Sequence, residues 1–162
     1  MYTKDQLNDL YERIVKTIDI SNEMFDVAEK EYTDLGNWID QATPQYKILI
    51  YSQGSFALGT VIKPIEDSED YDLDLVCEFE QQYGLSARAL KCEVVKPLLE
   101  RYKKTKSDIE NKRRCWHVEY EDIPNFHMDI IPAVNRRSHI DITDHNEETD
   151  TYDYIGSNPL GY

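Results

Sequence analysis

Basic residues are in short supply in this sequence, where 18 lysines and arginines stand against 32 aspartates and glutamates and leave a formal net charge of −14. A surface with that balance repels a phosphate backbone, so bulk electrostatics disfavour long nucleic acid as a ligand. Long apolar runs are also lacking. The first twenty residues carry charges throughout, which argues against a signal peptide or a membrane span there. We therefore expect a cytoplasmic protein that does not engage a membrane.

Cysteine is equally scarce. The chain has three cysteines, Cys77, Cys92 and Cys115, which are widely spaced, form no CxxC pair and have no histidine at zinc-finger spacing beside them. This pattern argues against a disulfide framework and predicts reduced cytosolic thiols. With 162 residues, 40% of them hydrophobic, the chain is long enough to bury one core. We expect one structural domain.

Two segments near the N-terminus have helical periodicity. Apolar side chains recur at helical spacing from Lys4 to Ile18 and make one apolar stripe. A second helix is expected after Ser21, a candidate N-cap, with an interruption at Gly36 and an end at Thr43-Pro44. We predict that these helices, in residues 1–44, pack on a core formed by residues 45–162.

Strand patterns dominate after Pro44. Runs of β-branched, aromatic and alternating residues predict strands at 46–51, 71–79, 115–120 and 126–131. Between them, Ser86 is a candidate cap for a helix from Ala87 to about Lys104, which Pro97 should kink or restart. The order of elements predicts an α+β or α/β fold with a mixed sheet. The last twenty residues are too polar to assign.

Two aspartates alternate with leucines in one predicted strand. Asp72 and Asp74 share a face, and the intervening leucines share the other, because side chains alternate along a strand. Carboxylates at this spacing, roughly 6–7 Å apart at their α-carbons, can converge on two cations. Asp129, between Met128 and Ile130, repeats the pattern and joins the site if its strand pairs beside the first. Solvated surface aspartates are the alternative, and the preceding acidic run from Glu66 to Asp70 has that simpler explanation.

A Gly54-Ser55 turn lies shortly before these aspartates. Glycine permits close approach of a phosphate, and the turn leaves backbone N–H groups and a hydroxyl free to hold a triphosphate. A single Gly-Ser pair carries little information. Its significance comes from its combination with the two aspartate-bearing strands.

Taken together, Gly54-Ser55, Asp72-Leu73-Asp74-Leu75 and Met128-Asp129-Ile130 resemble the DNA polymerase β-like nucleotidyltransferase superfamily. The longer stretches GSFALGTVIKP, DYDLDLVCEF, FHMDIIPAV and SNPLGY look like the bacterial cyclic-oligonucleotide synthases of anti-phage signalling, called CD-NTases. These are relatives of cyclic GMP-AMP synthase and oligoadenylate synthase. The resemblance covers Ile50 to the last residue. In that family a second, helical lobe closes the nucleotide cleft, and we expect this lobe to be absent from a chain that stops at Tyr162.

The resemblance implies a role for each motif. Asp72 and Asp74 would bind two Mg²⁺ or Mn²⁺ ions, and Asp129 would complete the shell of one ion and accept the proton of the attacking ribose hydroxyl. Gly54 and Ser55 would hold the triphosphate. The implied activity joins ribonucleoside triphosphates into a cyclic or linear oligonucleotide second messenger and releases pyrophosphate.

Two other functions remain open. The same metal site could transfer a nucleotide to a protein side chain, an antibiotic or an RNA end, or the domain could bind a nucleotide or a partner without catalysis. The intact aspartates argue against the non-catalytic alternative. For His127, which should share the face of Asp129, and for Lys63, the simpler interpretations are a packed histidine and a surface lysine. The bases used, the product size, the activating signal and any regulatory protein partner are not predicted.

Overall fold

The computed structural model describes residues 3–62, 70–80, 84–102 and 109–158. It begins with two helices, α1 (Lys4–Ile18) and α2 (Asn22–Ala42). The Ser21 hydroxyl accepts a hydrogen bond from the backbone N–H of Met24, which confirms the predicted N-cap. The predicted interruption at Gly36 is wrong. A glycine costs a helix interior only about 1 kcal/mol, and this one faces β1, where a Cβ would lie 3.8 Å from Ile50.

The remaining described elements, in chain order, are β1 (Ile48–Ser52), α3 (Gly54–Leu58), β2 (Tyr71–Phe79), a π-helical segment (Ala89–Val95), α4 (Lys96–Arg101), β3 (Glu110–Asn111), β4 (Trp116–Glu119), β5 (Phe126–Asn135), β6 (Ile140–Asn146) and β7 (Thr151–Ser157). The Ser86 hydroxyl accepts a hydrogen bond from the N–H of Ala89, as expected of a cap. Pro97 lies in the first turn of α4, so it marks the predicted restart.

Within the described residues, seven strands form one mixed sheet, which confirms the predicted fold class. The order is β1-β2-β5-β4-β3, and β6 pairs with both β5 and β7. Only β2 and β5 run parallel among the pairs of described strands. Strand β5 is long enough to pair with β2 along one side and, along the other, with β4 near its start and β6 near its end. The β6–β7 hairpin occupies the polar region that the sequence pattern leaves unassigned.

The main core lies on one face of the sheet. There α2, the π-helical segment and α4 cover the apolar side chains of β2, β4 and β5. The apolar stripe of α1 does not join this core: its described large apolar residues are exposed, from 37% at Leu7 to 62% at Tyr11. No described helix is both long enough and apolar enough to cross a membrane. The division into N-terminal helices (1–44) that pack on a core (45–162) within one structural domain stays a prediction.

Candidate active site

The buried face of the sheet determines where the aspartates point. In β2, Leu73 and Leu75 are at most 1% exposed and face the core, so the alternating Asp72 and Asp74 lie on the opposite face. Strand β5 has the same alternation, with Met128 and Ile130 buried on either side of Asp129. All three predicted carboxylates therefore occupy one face of two neighbouring strands.

The register between the strands brings the carboxylates side by side. In the parallel β2–β5 pair, Asp74 lies opposite Asp129, and Asp72 lies opposite His127. Burial first, then the charges of Asp72 and Asp129, raise the pKa of Asp74 to about 6. After burial, the charges of the two other carboxylates contribute to this shift, so Asp74 lies close enough to Asp72 and Asp129 to be repelled by both. A divalent cation would remove this repulsion, and a set of carboxylate oxygens suits hard ions such as Mg²⁺ and Mn²⁺. The residues present thus fit the predicted metal, while its identity, its count and the role of each aspartate stay predictions.

Gly54 lies against this cluster, but not in the open turn that was predicted. It is the first residue of α3, which continues through Phe56-Ala57-Leu58. Phe56 stacks on Phe25 of α2, with ring centroids 4.7 Å apart, and this contact holds α3 against α2. The turn is therefore the junction between β1 and the short helix α3 rather than an open loop. The requirement for glycine is nevertheless visible. Gly54 has a φ of +64°, and a Cβ there would lie 2.6 Å from Asp74 Oδ2.

A backbone hydrogen bond anchors the start of α3 on β2. The N–H of Gln53 donates to the carbonyl of Asp74 at 2.9 Å. Ser55 follows in the first turn of α3, where its carbonyl accepts a hydrogen bond from the N–H of Thr60 at 2.8 Å. Gly54 thus lies beside the carboxylate of Asp74 and Ser55 follows it in α3, although phosphate binding by either residue stays a prediction.

Asp129 has neighbours that the sequence pattern did not identify as part of the site. His117 on β4 is its register partner, and His117 Nδ1 lies 2.9 Å from Asp129 Oδ1. Burial, followed by the charge of the nearby Asp129 carboxylate, raises the pKa of the Cys115 thiol to about 12. The sequence does contain a signal for His117. In Trp116-His117-Val118 the side chains alternate, so His117 lies on the face of the sheet away from its two buried neighbours.

His127 lies on the site face, as the regular strand predicts. Its ring packs on that of His117 with centroids 4.3 Å apart. Burial, followed by the nearby imidazole of His117, lowers the pKa of His127. Lys63 and the acidic residues 66–69 lie outside the described residues.

Known proteins resemble this chain over the region that contains the three aspartates. A family model for "Cyclic GMP-AMP synthase DncV-like, nucleotidyltransferase domain" matches residues 49–132, which include all three aspartates. A curated c-di-GMP synthase from Roseivirga ehrenbergii is 28% identical over 170 residues, covering 98% of this chain and 42% of that protein. The chain therefore spans less than half the length of this relative.

Solved structures show the same fold. The CD-NTase CdnG from Bradyrhizobium diazoefficiens, in complex with GTP, superposes with a TM-score of 0.68 at 23% identity, over 89% of this chain and 42% of that one. The DncV cyclic AMP-GMP synthase from Vibrio cholerae, in complex with nonhydrolyzable GTP, gives a TM-score of 0.70 at 12% identity, over 90% of this chain and 55% of that one.

Proposed function

This chain belongs to the DncV-like cyclic GMP-AMP synthase nucleotidyltransferase family, and on that premise we propose that it carries the metal-binding core of an enzyme that joins ribonucleoside triphosphates into a cyclic or linear oligonucleotide. Pyrophosphate is the second product. The observation that carries the proposal is the convergence of Asp72, Asp74 and Asp129 on one face of paired strands, where burial and then the charges of Asp72 and Asp129 raise the pKa of Asp74.

The proposed roles follow from the positions of the carboxylates. When bound, two divalent ions, Mg²⁺ or Mn²⁺, neutralise phosphate charge and lower the pKa of the attacking ribose hydroxyl. Asp72 and Asp74 would hold both ions, and Asp129 would complete the shell of one of them. Asp129 also accepts the proton of the ribose hydroxyl. The contact between its Oδ1 and His117 Nδ1 restricts the orientation of the carboxylate.

Gly54 and Ser55 would hold the triphosphate tail. Support for this assignment comes from the proximity of α3 to the carboxylates, because the absence of a Cβ at Gly54 leaves space beside Asp74 Oδ2. Since the two solved structures hold GTP and nonhydrolyzable GTP, purine nucleoside triphosphates are the first ligands to test. We also propose a role in anti-phage signalling, on the family resemblance alone.

Product formation without an added acceptor tests the proposal. The protein, expressed with any sequence that follows residue 162 in its gene, is incubated with labelled ATP, GTP, CTP and UTP and with Mg²⁺ or Mn²⁺. We expect pyrophosphate release and an oligonucleotide identifiable by mass spectrometry. Product that appears only when a protein, antibiotic or RNA acceptor is added would favour transfer to that acceptor instead.

Matched variants connect the activity to the site. Asp74→Asn should reduce pyrophosphate release to background, whereas Asp26→Asn, on the exposed side of α2, should keep the wild-type rate. Both remove one negative charge, so the difference reports the position of Asp74 rather than the net charge. An Asp74→Asn enzyme that turns over at the wild-type rate would refute the metal assignment.

A further inference from the structure

A second set of metal-ligating side chains, different in chemistry, lies beside the three carboxylates. His117, His127 and Asp129 each offer one ligand atom, and these atoms all lie within 4.8 Å of one another. Two of the three are imidazole nitrogens, which Asp72 and Asp74 do not provide. The three side chains are only 17–27% exposed, so the set is shielded but still open to solvent on one side.

The fold holds these three residues in place from the opposite face of the sheet. His117 and Asp129 are register partners across β4 and β5, and His127 lies two residues before Asp129 on the same face. Their strand neighbours Trp116, Val118 and Met128 are at most 3% exposed and are packed in the main core. The backbone under the cluster is therefore rigid, and metal binding would require only small side-chain movements.

The polar atoms of the cluster are incompletely satisfied. His127 Nδ1 is buried and has no hydrogen-bond partner among the described residues. Asp70 Oδ2 lies 3.8 Å from it, too far for a hydrogen bond. Buried nitrogens without a partner are rare in folded proteins, and a role in binding an ion is one of the recognised explanations.

We propose that His117, His127 and Asp129 bind one transition-metal ion of the zinc type, such as Zn²⁺ or Co²⁺, in preference to Mg²⁺. Imidazole favours these ions, whereas Mg²⁺ favours oxygen ligands in octahedral geometry. Two histidines and a carboxylate are also an established ligand set for zinc with one position left open. Ligands about 2 Å from a shared ion stand roughly 3–4 Å apart, so the widest gap in the present cluster, at most 4.8 Å, must close by about 1–2 Å to complete the site.

Binding at this site has a consequence for Asp129. The same carboxylate belongs to the proposed catalytic set, so a zinc-type ion held by the histidines competes with the Mg²⁺ pair for it. Zinc should therefore inhibit nucleotidyl transfer, and replacing either histidine by asparagine should weaken this inhibition. The inhibition rests on the proposed function. Binding of the ion does not, and it is measurable without turnover.

Cobalt titration of the tag-free 162-residue chain tests the site, because bound Co²⁺ has a visible absorption spectrum that Mg²⁺ does not obscure. In excess Mg²⁺ we expect one Co²⁺ per chain, displaced by Zn²⁺. His117→Asn and His127→Asn should each weaken binding by about tenfold or more. His139→Asn is the matched control, since His139 has a 45% exposed side chain outside the cluster, and it should bind Co²⁺ as the wild type does.

Two further variants decide between donor sets. Asp72→Asn should retain Co²⁺, because Asp72 belongs only to the carboxylate set; loss of Co²⁺ there, with both histidine variants intact, would overturn the proposal. Cys115→Ser should also retain Co²⁺, and loss there would show a thiolate ligand that the proposal excludes. If His117→Asn or His127→Asn unfolds below the titration temperature, His117→Gln or His127→Gln is used in its place. Wild-type protein that binds no Co²⁺ in excess Mg²⁺ refutes the site whether or not the protein is a nucleotidyltransferase.

Discussion

Replacing Asp74 by asparagine should stabilise the metal-free protein. In the folded state, burial and the charges of Asp72 and Asp129 raise the pKa of Asp74 to about 6, against an ordinary value of 3.8. A carboxyl whose pKa is higher in the folded than in the unfolded state favours folding only while it is protonated. Its contribution is therefore present below about pH 4 and is lost as the pH rises through 6. At neutral pH the ionised side chain opposes folding.

The size of the effect follows from the pKa shift. A shift of about 2 units corresponds to roughly 3 kcal/mol at about 1.4 kcal/mol per unit. Asp74 is only partly buried, and solvent screens the repulsion, so we reduce the expected gain to about 1–2 kcal/mol. Asparagine has nearly the same shape and no charge. The free energy of unfolding of Asp74→Asn should exceed that of wild type by this amount at pH 7.5.

Urea unfolding in the presence of EDTA measures the difference. At pH 4.5 the gain should fall to less than about half, because Asp74 is then mostly protonated in the folded wild type. Saturating Mn²⁺ should reverse the order at pH 7.5, since the wild type then binds the ion that the variant has lost. The control Asp26→Asn should stay within about 0.5 kcal/mol of wild type. An Asp74→Asn protein no more stable than wild type in EDTA, or equally stabilised at both pH values, would refute the reasoning.

Further predictions address the glycine, a buried lysine and base recognition. Gly54→Ala and Gly59→Ala should each lower the free energy of unfolding by about 1–2 kcal/mol, because both glycines have a φ of +64°. Only Gly54→Ala should weaken Mn²⁺ binding, because only at that position would a Cβ meet Asp74. Electron paramagnetic resonance measures the Mn²⁺ binding. Burial lowers the pKa of Lys91 to about 8, so between about pH 8 and 10.5 the unfolded chain binds more protons than the folded chain. The free energy of unfolding of wild type, relative to that of Lys91→Met, should therefore increase from about pH 7 to 9.5. In calorimetric titrations with Mn²⁺, the affinities of the 162-residue chain for ATP, GTP, CTP and UTP should agree within about threefold. The reason is the expectation that base recognition in this family depends on the helical lobe. Strong discrimination among the four nucleotides would instead place base recognition within this chain.

The sequence alone was enough to predict the elements whose signals are local. The helix from Lys4 to Ile18 follows from its apolar period, the Ser21 cap from its hydroxyl, and the opposite faces of Asp72 and Leu73 from the two-residue period of a strand. The periodicity could not show what covers an apolar stripe. The α1 stripe has the pattern of a buried face, yet its described side chains are exposed.

The tertiary structure decided which residues meet. Pairing of β2 with β5 in one register sets Asp74 beside Asp129, and only the position of α3 shows that a Cβ at Gly54 would collide with Asp74. The contact between His117 and Asp129 likewise depends on β4 pairing with the far side of β5. Local patterns assign a side chain to a face of its strand. The order and register of strands result from packing across the whole sheet, so they determine which donors share a metal site.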